Sequence, residues 1–320
     1  MAVFETFDDE LDEIAERARS ADAGIRRVAM LELAEAVDPA AVDLLLEGVV
    51  DPDAMVREAA AKALDEHQGA PVALALITAL DDDVEAVRLA AAESLADKKE
   101  PASAGALIER ARTGNAFVRA SALRALKEMQ VEAAMPVALS ALSDPEVAVR
   151  REALGVLGYL KAEAALPALM MAAGDAEPSV RRSVMASLVF VRPGTAGVPA
   201  LLKGLTDPNW QVREEAAFSI GKAKLPEAVG ALVTAVGDET WQVTAKAINA
   251  LGKLKAREGV PVIAGTLGHD LSNVRKEAAA ALGEIADPAA VVALEGAFDD
   301  PDPDVRKLVR WALERCRAAA

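Results

Sequence analysis

The sequence predicts an all-α fold, an α-solenoid (superhelix) of about ten helix pairs with a repeat of 31 residues. Three observations carry the prediction. A Val-Arg or Ile-Arg pair returns at one fixed spacing, Leu and Asp columns travel with it, and the chain is 52% hydrophobic with only 3% aromatic residues. Ala, Leu and Val supply most of that apolar content, and small side chains suit closely packed helices better than sheets.

The Arg column runs through Arg26, Arg57, Arg88, Arg119, Arg150 and Arg181, then Arg213, Thr244, Arg275 and Arg306. Every step is 31 residues except the one from 181 to 213, which is 32 and contains the Pro/Gly-rich stretch 192–197. Three residues after each Arg position stands Ala or Val. Seven after it stands Leu33, Leu64, Leu95, Leu126, Leu157, Leu188, Ile220, Leu251, Leu282 or Leu313. Offsets of three and seven place these side chains on one face of a helix. A fixed period of this length is the mark of a repeat array, in which each unit buries its apolar face only against its neighbours.

Six residues before the Arg lies an acidic column, Asp51, Asp82, Asp144, Asp175, Asp207, Asp238 and Asp300, replaced by Ser20, Thr113 and His269 elsewhere. Pro52, Pro145, Pro208 and Pro301 follow directly. Asp-Pro reads as a helix start, with the carboxylate capping free N–H groups and Pro in the first turn. Each unit is therefore a short apolar helix, such as 40–50 or 164–173, and a second helix carrying the Arg and Leu columns. Arg is expected to reach an Asp or a loop carbonyl of its own repeat or the next, forming a packing ladder. Thr244 interrupts it and is expected to leave Asp238 without a partner.

The stretches Asp51-Pro52…Val56-Arg57-Glu58-Ala59-Ala60 and Asp207-Pro208-Asn209-Trp210-Gln211-Val212-Arg213-Glu214-Glu215-Ala216-Ala217 resemble the short HEAT-like repeats first named from phycobilin lyases. The resemblance spans nearly the whole chain. It implies a HEAT-like solenoid whose second helices line a concave surface. The repeat itself serves many unrelated roles. Residues 1–320 are read as one domain, with an acidic N-terminal cap helix at 1–20 and a basic C-terminal cap at 299–320. Phe4 and Phe7 are expected to cover the open N-terminal end.

Positions one, two, five and nine after the Arg point away from the core. In repeats one to three they carry ordinary charges such as Glu58, Lys62, Glu93 and Asp97. In the middle of the array they carry Arg124, Arg151, Arg182, Tyr159, Phe190 and Phe218, residue types that supply binding hot spots. Trp210 and Trp241 share one column in consecutive repeats, and either line a groove or cover Asp-Pro corners. These eight residues form the expected partner-binding set. Met129, Met135, Met170, Met171 and Met185 cluster in the same region, mostly as core filler.

Net charge is −16, which opposes binding to nucleic acid or an anionic membrane surface. No signal peptide or membrane-spanning run is evident. One cysteine, Cys316, excludes an internal disulfide and fits the cytoplasm. Its neighbours Arg315 and Arg317 are of the kind that lower a thiol pKa.

The two histidines, His67 and His269, stand far apart in the sequence. HEAT-repeat di-iron hydroxylases use repeated His-Glu pairs, which are absent; His269 reads as a variant cap. Neither a zinc motif nor a P-loop occurs, so no catalytic residue, metal or cofactor is assigned. The expected function is a monomeric, non-enzymatic scaffold holding a partner protein on its concave face. The alternatives are a bilin lyase-like or cofactor-assembly factor, and, disfavoured by charge, a HEAT-like nucleic-acid glycosylase.

Overall fold

The computed structural model describes residues 5–36 and 39–319, with side chains described from residue 11 onward. Phe4 and the Phe7 side chain, expected to cover the N-terminal end, lie outside the described residues. The chain divides into two compact units, Met1–Leu160 and Lys161–Ala320. Among the described residues every regular element is helical.

The first unit contains α1 (Glu5–Ala18), α2 (Ala23–Leu33), α3 (Pro39–Gly48), α4 (Ala54–Ala63), α5 (Ala70–Ala79), α6 (Glu85–Leu95), α7 (Ala104–Thr113), α8 (Ala116–Met129), α9 (Met135–Ala141) and α10 (Val147–Leu160). The second contains α11 (Leu166–Ala172), α12 (Pro178–Ser187), α13 (Val198–Gly204), α14 (Trp210–Ala223), α15 (Val229–Ala235), α16 (Trp241–Lys253), α17 (Val260–Gly265), α18 (Ser272–Ile285), α19 (Val291–Gly296) and α20 (Pro303–Ala318). Pairs alternate as the period requires. In the first unit α2, α4 and α6 lie side by side and α8 packs on α10. In the second, α12, α14, α16, α18 and α20 form one row, each backed by its own short helix. The whole Leu/Ile column is buried. Each such side chain stabilises by about 1.5–3 kcal/mol on burial, and it gains this only against a neighbouring pair.

Close approach of the second helices depends on small residues. A side chain at Gly221 would place its Cβ 2.8 Å from Ala250 Cα, and one at Gly252 would come within 2.9 Å of Ala281 Cα. Both glycines stand eight residues after the Arg position, so the same contact recurs in successive repeats.

The Arg column forms a ladder, and its register explains its gaps. Arg26 donates Nη1 to the carbonyls of Ser20 and Ala21 in its own corner, at 2.9 and 3.2 Å. Its Nε and Nη2 grip Asp51 of the next repeat at 2.7 and 2.8 Å. The same bidentate step joins Arg57 to Asp82 and Arg119 to Asp144. In the second unit it joins Arg181 to Asp207, Arg213 to Asp238 and Arg275 to Asp300. Each guanidinium therefore closes its own corner and clamps the following one.

Two sequence expectations need correction. Asp238 has a partner, because its Arg comes from the preceding repeat. The residue left facing the Thr244 position is His269, which has no carboxylate to offer. Likewise Arg88 faces Thr113, and among the described residues its guanidinium bonds only the carbonyls of Asp82 and Asp83. Nor is the column Asp the helix N-cap. Asp51 Oδ1 accepts from Asp53 N at 2.8 Å, closing a turn, and Asp53 then caps α4 through Met55 N and Val56 N. The Asp-Pro pair builds the corner, and the cap stands two residues later.

The ladder acts on the carboxylates as opposite charge should. Hydrogen bonds from Arg26, Arg57 and Arg275 hold Asp51, Asp82 and Asp300 below the usual carboxylate range. At Asp144, Asp207 and Asp238 burial is the largest influence and pushes upward, but the Arg bond, the turn N–H and the nearby positive charge together outweigh it.

Second helices in five repeats end on a residue in left-handed conformation: Gln130, Lys161, Lys224, Lys255 and Ala286, with φ from 49 to 55°. All stand eleven residues after the Arg position. At Lys224 the turn lets its N–H reach Ile220 O. The repeat carrying the extra residue departs from this pattern, since α12 stops at Ser187.

Candidate partner-binding surface

Outward positions on the second helices decide what a partner would meet. In the first unit Arg124 is exposed and borders an open recess of about 250 Å³ with Phe117, Ser121, Glu146 and Glu152. Arg151 is exposed on α10. Tyr159, 46% exposed, lies on the same helix, with Lys127 Nζ of α8 at 5.7 Å from its ring centroid. Lys127 also stands 3.5 Å from Glu128 and 3.9 Å from Glu152, so its charge is shared.

In the second unit Arg182 is exposed and pairs with Glu215 of α14 at 3.2 Å. This neutralises a base expected to be available to a partner. Phe190 is half-buried in the stretch after α12, and Trp210 is half-buried as the first residue of α14. Trp241 opens α16 and is 38% exposed. Phe218, in the middle of α14, is 36% exposed. The expected residues thus fall into Arg124, Arg151 and Tyr159 on α8 and α10, and Arg182, Phe190, Trp210, Phe218 and Trp241 in the second unit.

The densest feature was not among them. Lys222, Lys246 and Lys253 surround the Phe218 ring, with Nζ atoms 5.8, 5.7 and 5.7 Å from its centroid. Lys222 comes from the same helix, one turn on; Lys246 and Lys253 come from α16. All occupy the outward columns, two or nine residues after the Arg position. In the sequence these lysines stand in outward columns as ordinary surface charge, and nothing in the columns joins them to Phe218.

Other candidates resolve into packing. Met185 is buried, whereas Met171 on α11 is 83% exposed. Cys316 is buried, its Sγ 3.5 Å from Leu282 O, and burial pushes its thiol pKa up. This reverses the expectation drawn from Arg315 and Arg317. Arg315 is occupied elsewhere, donating Nε to Gly283 O at 2.6 Å and lying 5.4 Å from the centroid of Trp311. His269 Nδ1 accepts from Leu271 N at 3.0 Å, reproducing the turn that Asp makes in other repeats. Among the described residues no helix is long and apolar enough to cross a membrane.

The family model for HEAT repeats matches residues 11–96, 104–189, 198–259 and 235–314. No curated protein matches the chain by sequence. Among solved structures, an engineered protein is 21% identical, with 96% of this chain and 98% of its own covered and a TM-score of 0.52. The Escherichia coli protein YibA is 22% identical, covering 76% of this chain and 91% of its own with a TM-score of 0.59. Kap95p, described as binding RanGDP, is 16% identical, with a TM-score of 0.58; 96% of this chain and 49% of Kap95p are covered. At these identities the likeness concerns the fold, and the chain spans about half the length of Kap95p.

Proposed function

From the premise that the chain belongs to the HEAT-repeat family, we propose that it is a scaffold binding a partner protein on its second helices, the concave face in this repeat class. The observation that carries the reading is an exposed ring on the outward second-helix columns of each unit, Tyr159 in the first and Phe218 in the second, the latter with Lys222, Lys246 and Lys253 around it. Apolar area beside unburied charge is the composition of a binding hot spot, because a partner gains from ring burial and from pairing the bases. Arg124, Arg151, Arg182, Tyr159, Phe190, Trp210, Phe218 and Trp241 form the proposed contact set. Residues 1–320 are taken as one domain, with 1–20 and 299–320 as its caps. The binding of RanGDP by Kap95p is a precedent for a protein partner on this fold, not for its identity.

The test is affinity capture from the native host, with wild type beside an Arg151→Glu/Arg182→Glu variant. A partner lost on reversal supports the assignment. A partner fully retained refutes the assigned surface.

A further inference from the structure

The three lysines around Phe218 say what kind of partner this surface selects. Two facts set them apart from ordinary surface lysines. First, among the described residues none of their ammonium groups has a carboxylate within 4.0 Å, on a chain with 51 Asp and Glu against 35 Lys and Arg. The glutamates of the column that holds Lys246 are engaged elsewhere. Glu215 pairs with Arg182 at 3.2 Å, and Glu277 accepts from Asn249 at 3.0 Å. Second, the three charges converge on one ring and repel each other. A cation over an exposed aromatic face gains little in water, a weak reward for gathering like charges. A docked anion would relieve the repulsion and pair the bases.

The ring narrows the class of anion. Phe218 leaves a third of its surface open at the centre of the cluster, so the matching ligand carries an apolar group between its charges. An inorganic anion would satisfy the lysines and leave the ring wet. A polyphosphate backbone would extend beyond the cluster over a chain of net charge −16, where repulsion opposes it. A peptide meets both demands locally, with carboxylates on the ammonium groups and one apolar side chain on the ring.

We propose that Phe218, Lys222, Lys246 and Lys253 form a docking site for an acidic peptide segment of a partner protein, with its carboxylates on the three lysines and an apolar side chain against the Phe218 ring. The assignment rests on the reading that the second-helix surface binds protein, and it adds the partner's chemistry.

The experiment is fluorescence anisotropy on the full chain. The probe is a short fluorescein-labelled peptide in which Asp and Glu flank a central Leu-Phe pair. The controls are the same peptide with Asn and Gln for the acids, an acidic peptide with Gly for Leu-Phe, and a single-stranded oligonucleotide. The acidic probe is expected to bind wild type, and to lose at least about tenfold in affinity with Lys222→Glu/Lys246→Glu/Lys253→Glu. Phe218→Ala is expected to weaken the Leu-Phe probe and leave the Gly control unchanged. Circular dichroism checks that each variant is folded. Lys203→Glu, an exposed base on the short helix α13 and outside the contact set, serves as the charge control and should bind as wild type does. Equal binding of the amide peptide, preference for the oligonucleotide, indifference to the lysine reversals, or no binding at millimolar protein would each overturn the proposal. If the probe fails while partner capture still responds to the Arg151/Arg182 reversal, the acidic-peptide site falls and the scaffold reading stands. If capture is indifferent while the probe binds through the lysines, the reverse holds.

Discussion

Replacing Thr244 by Arg and His269 by Asp should close the gap in the ladder of the second unit, and the structure sets how much the new rung is worth. Both corners already have the required backbone. Thr244 Oγ1 donates to Asp238 O, the carbonyl six residues back that Arg uses elsewhere, and His269 Nδ1 takes the turn N–H that an Asp would take. The Arg213–Asp238 and Arg275–Asp300 rungs on either side show the geometry to be reached, with Nε to Oδ2 at 2.7 Å in both and little of either side chain exposed. Opposite charges about 4 Å apart attract by roughly 4 kcal/mol at an effective dielectric of about 20. Desolvation returns part of that, so a double-mutant cycle should give a coupling of about 2–3 kcal/mol.

Thr244→Arg alone buries a guanidinium with carbonyl partners only, and should cost about 1–2 kcal/mol. Because Thr244 and His269 already satisfy the same backbone groups, the double variant should come out within about 1 kcal/mol of wild type. Urea unfolding of the four proteins, followed by circular dichroism at neutral pH and again near pH 3, measures the cycle. A coupling below about 0.5 kcal/mol at neutral pH, or one unchanged in acid, would refute the assignment of Arg to the next repeat's Asp.

Three further outcomes follow from the same structure. Asp51, Asp82, Asp144, Asp207, Asp238 and Asp300 have folded pKa values below their unfolded ones, so the stability they contribute is complete above the ordinary carboxylate range and is lost as pH falls below about 4. Asp238→Asn should flatten that acid slope in urea titrations. Ala286→Gly should raise stability by up to about 1 kcal/mol in thermal unfolding, because Ala286 holds φ at 55° and glycine carries no penalty there. The Cys316 thiol, buried and with its pKa raised, should react with a thiol reagent only as fast as α20 opens, so that mild urea accelerates labelling.

How much was legible follows from where each signal resides. The repeat, the helix pairs and the buried Leu column could be read because every copy meets the same neighbour and keeps the same residue at the same offset. The direction of the Arg ladder was not legible from adjacent residues, since Arg213 and Asp238 belong to different repeats. Once the partner is known to lie in the following repeat, the paired losses at Thr244 and His269 become intelligible. The left-handed helix ends at Lys224, Lys255 and Ala286 gave no warning, because those residue types do not favour positive φ. Cys316 misled for a geometric reason: its chain neighbours Arg315 and Arg317 are basic, but burial dominates its surroundings. The lysines around Phe218 stood in columns already read as outward. Only coordinates join Lys222 of one repeat to Lys246 and Lys253 of the next.

Hydroxyl-radical footprinting of the chain with its captured partner tests the binding surface most directly. Side-chain oxidation of Tyr159, Phe218 and Trp241 should fall on complex formation, while Met171 and Val292, both exposed on short first helices, stay as reactive as in the free chain. Protection of Met171 and Val292 with unchanged Tyr159, Phe218 and Trp241 would place the partner on the opposite layer and contradict the account.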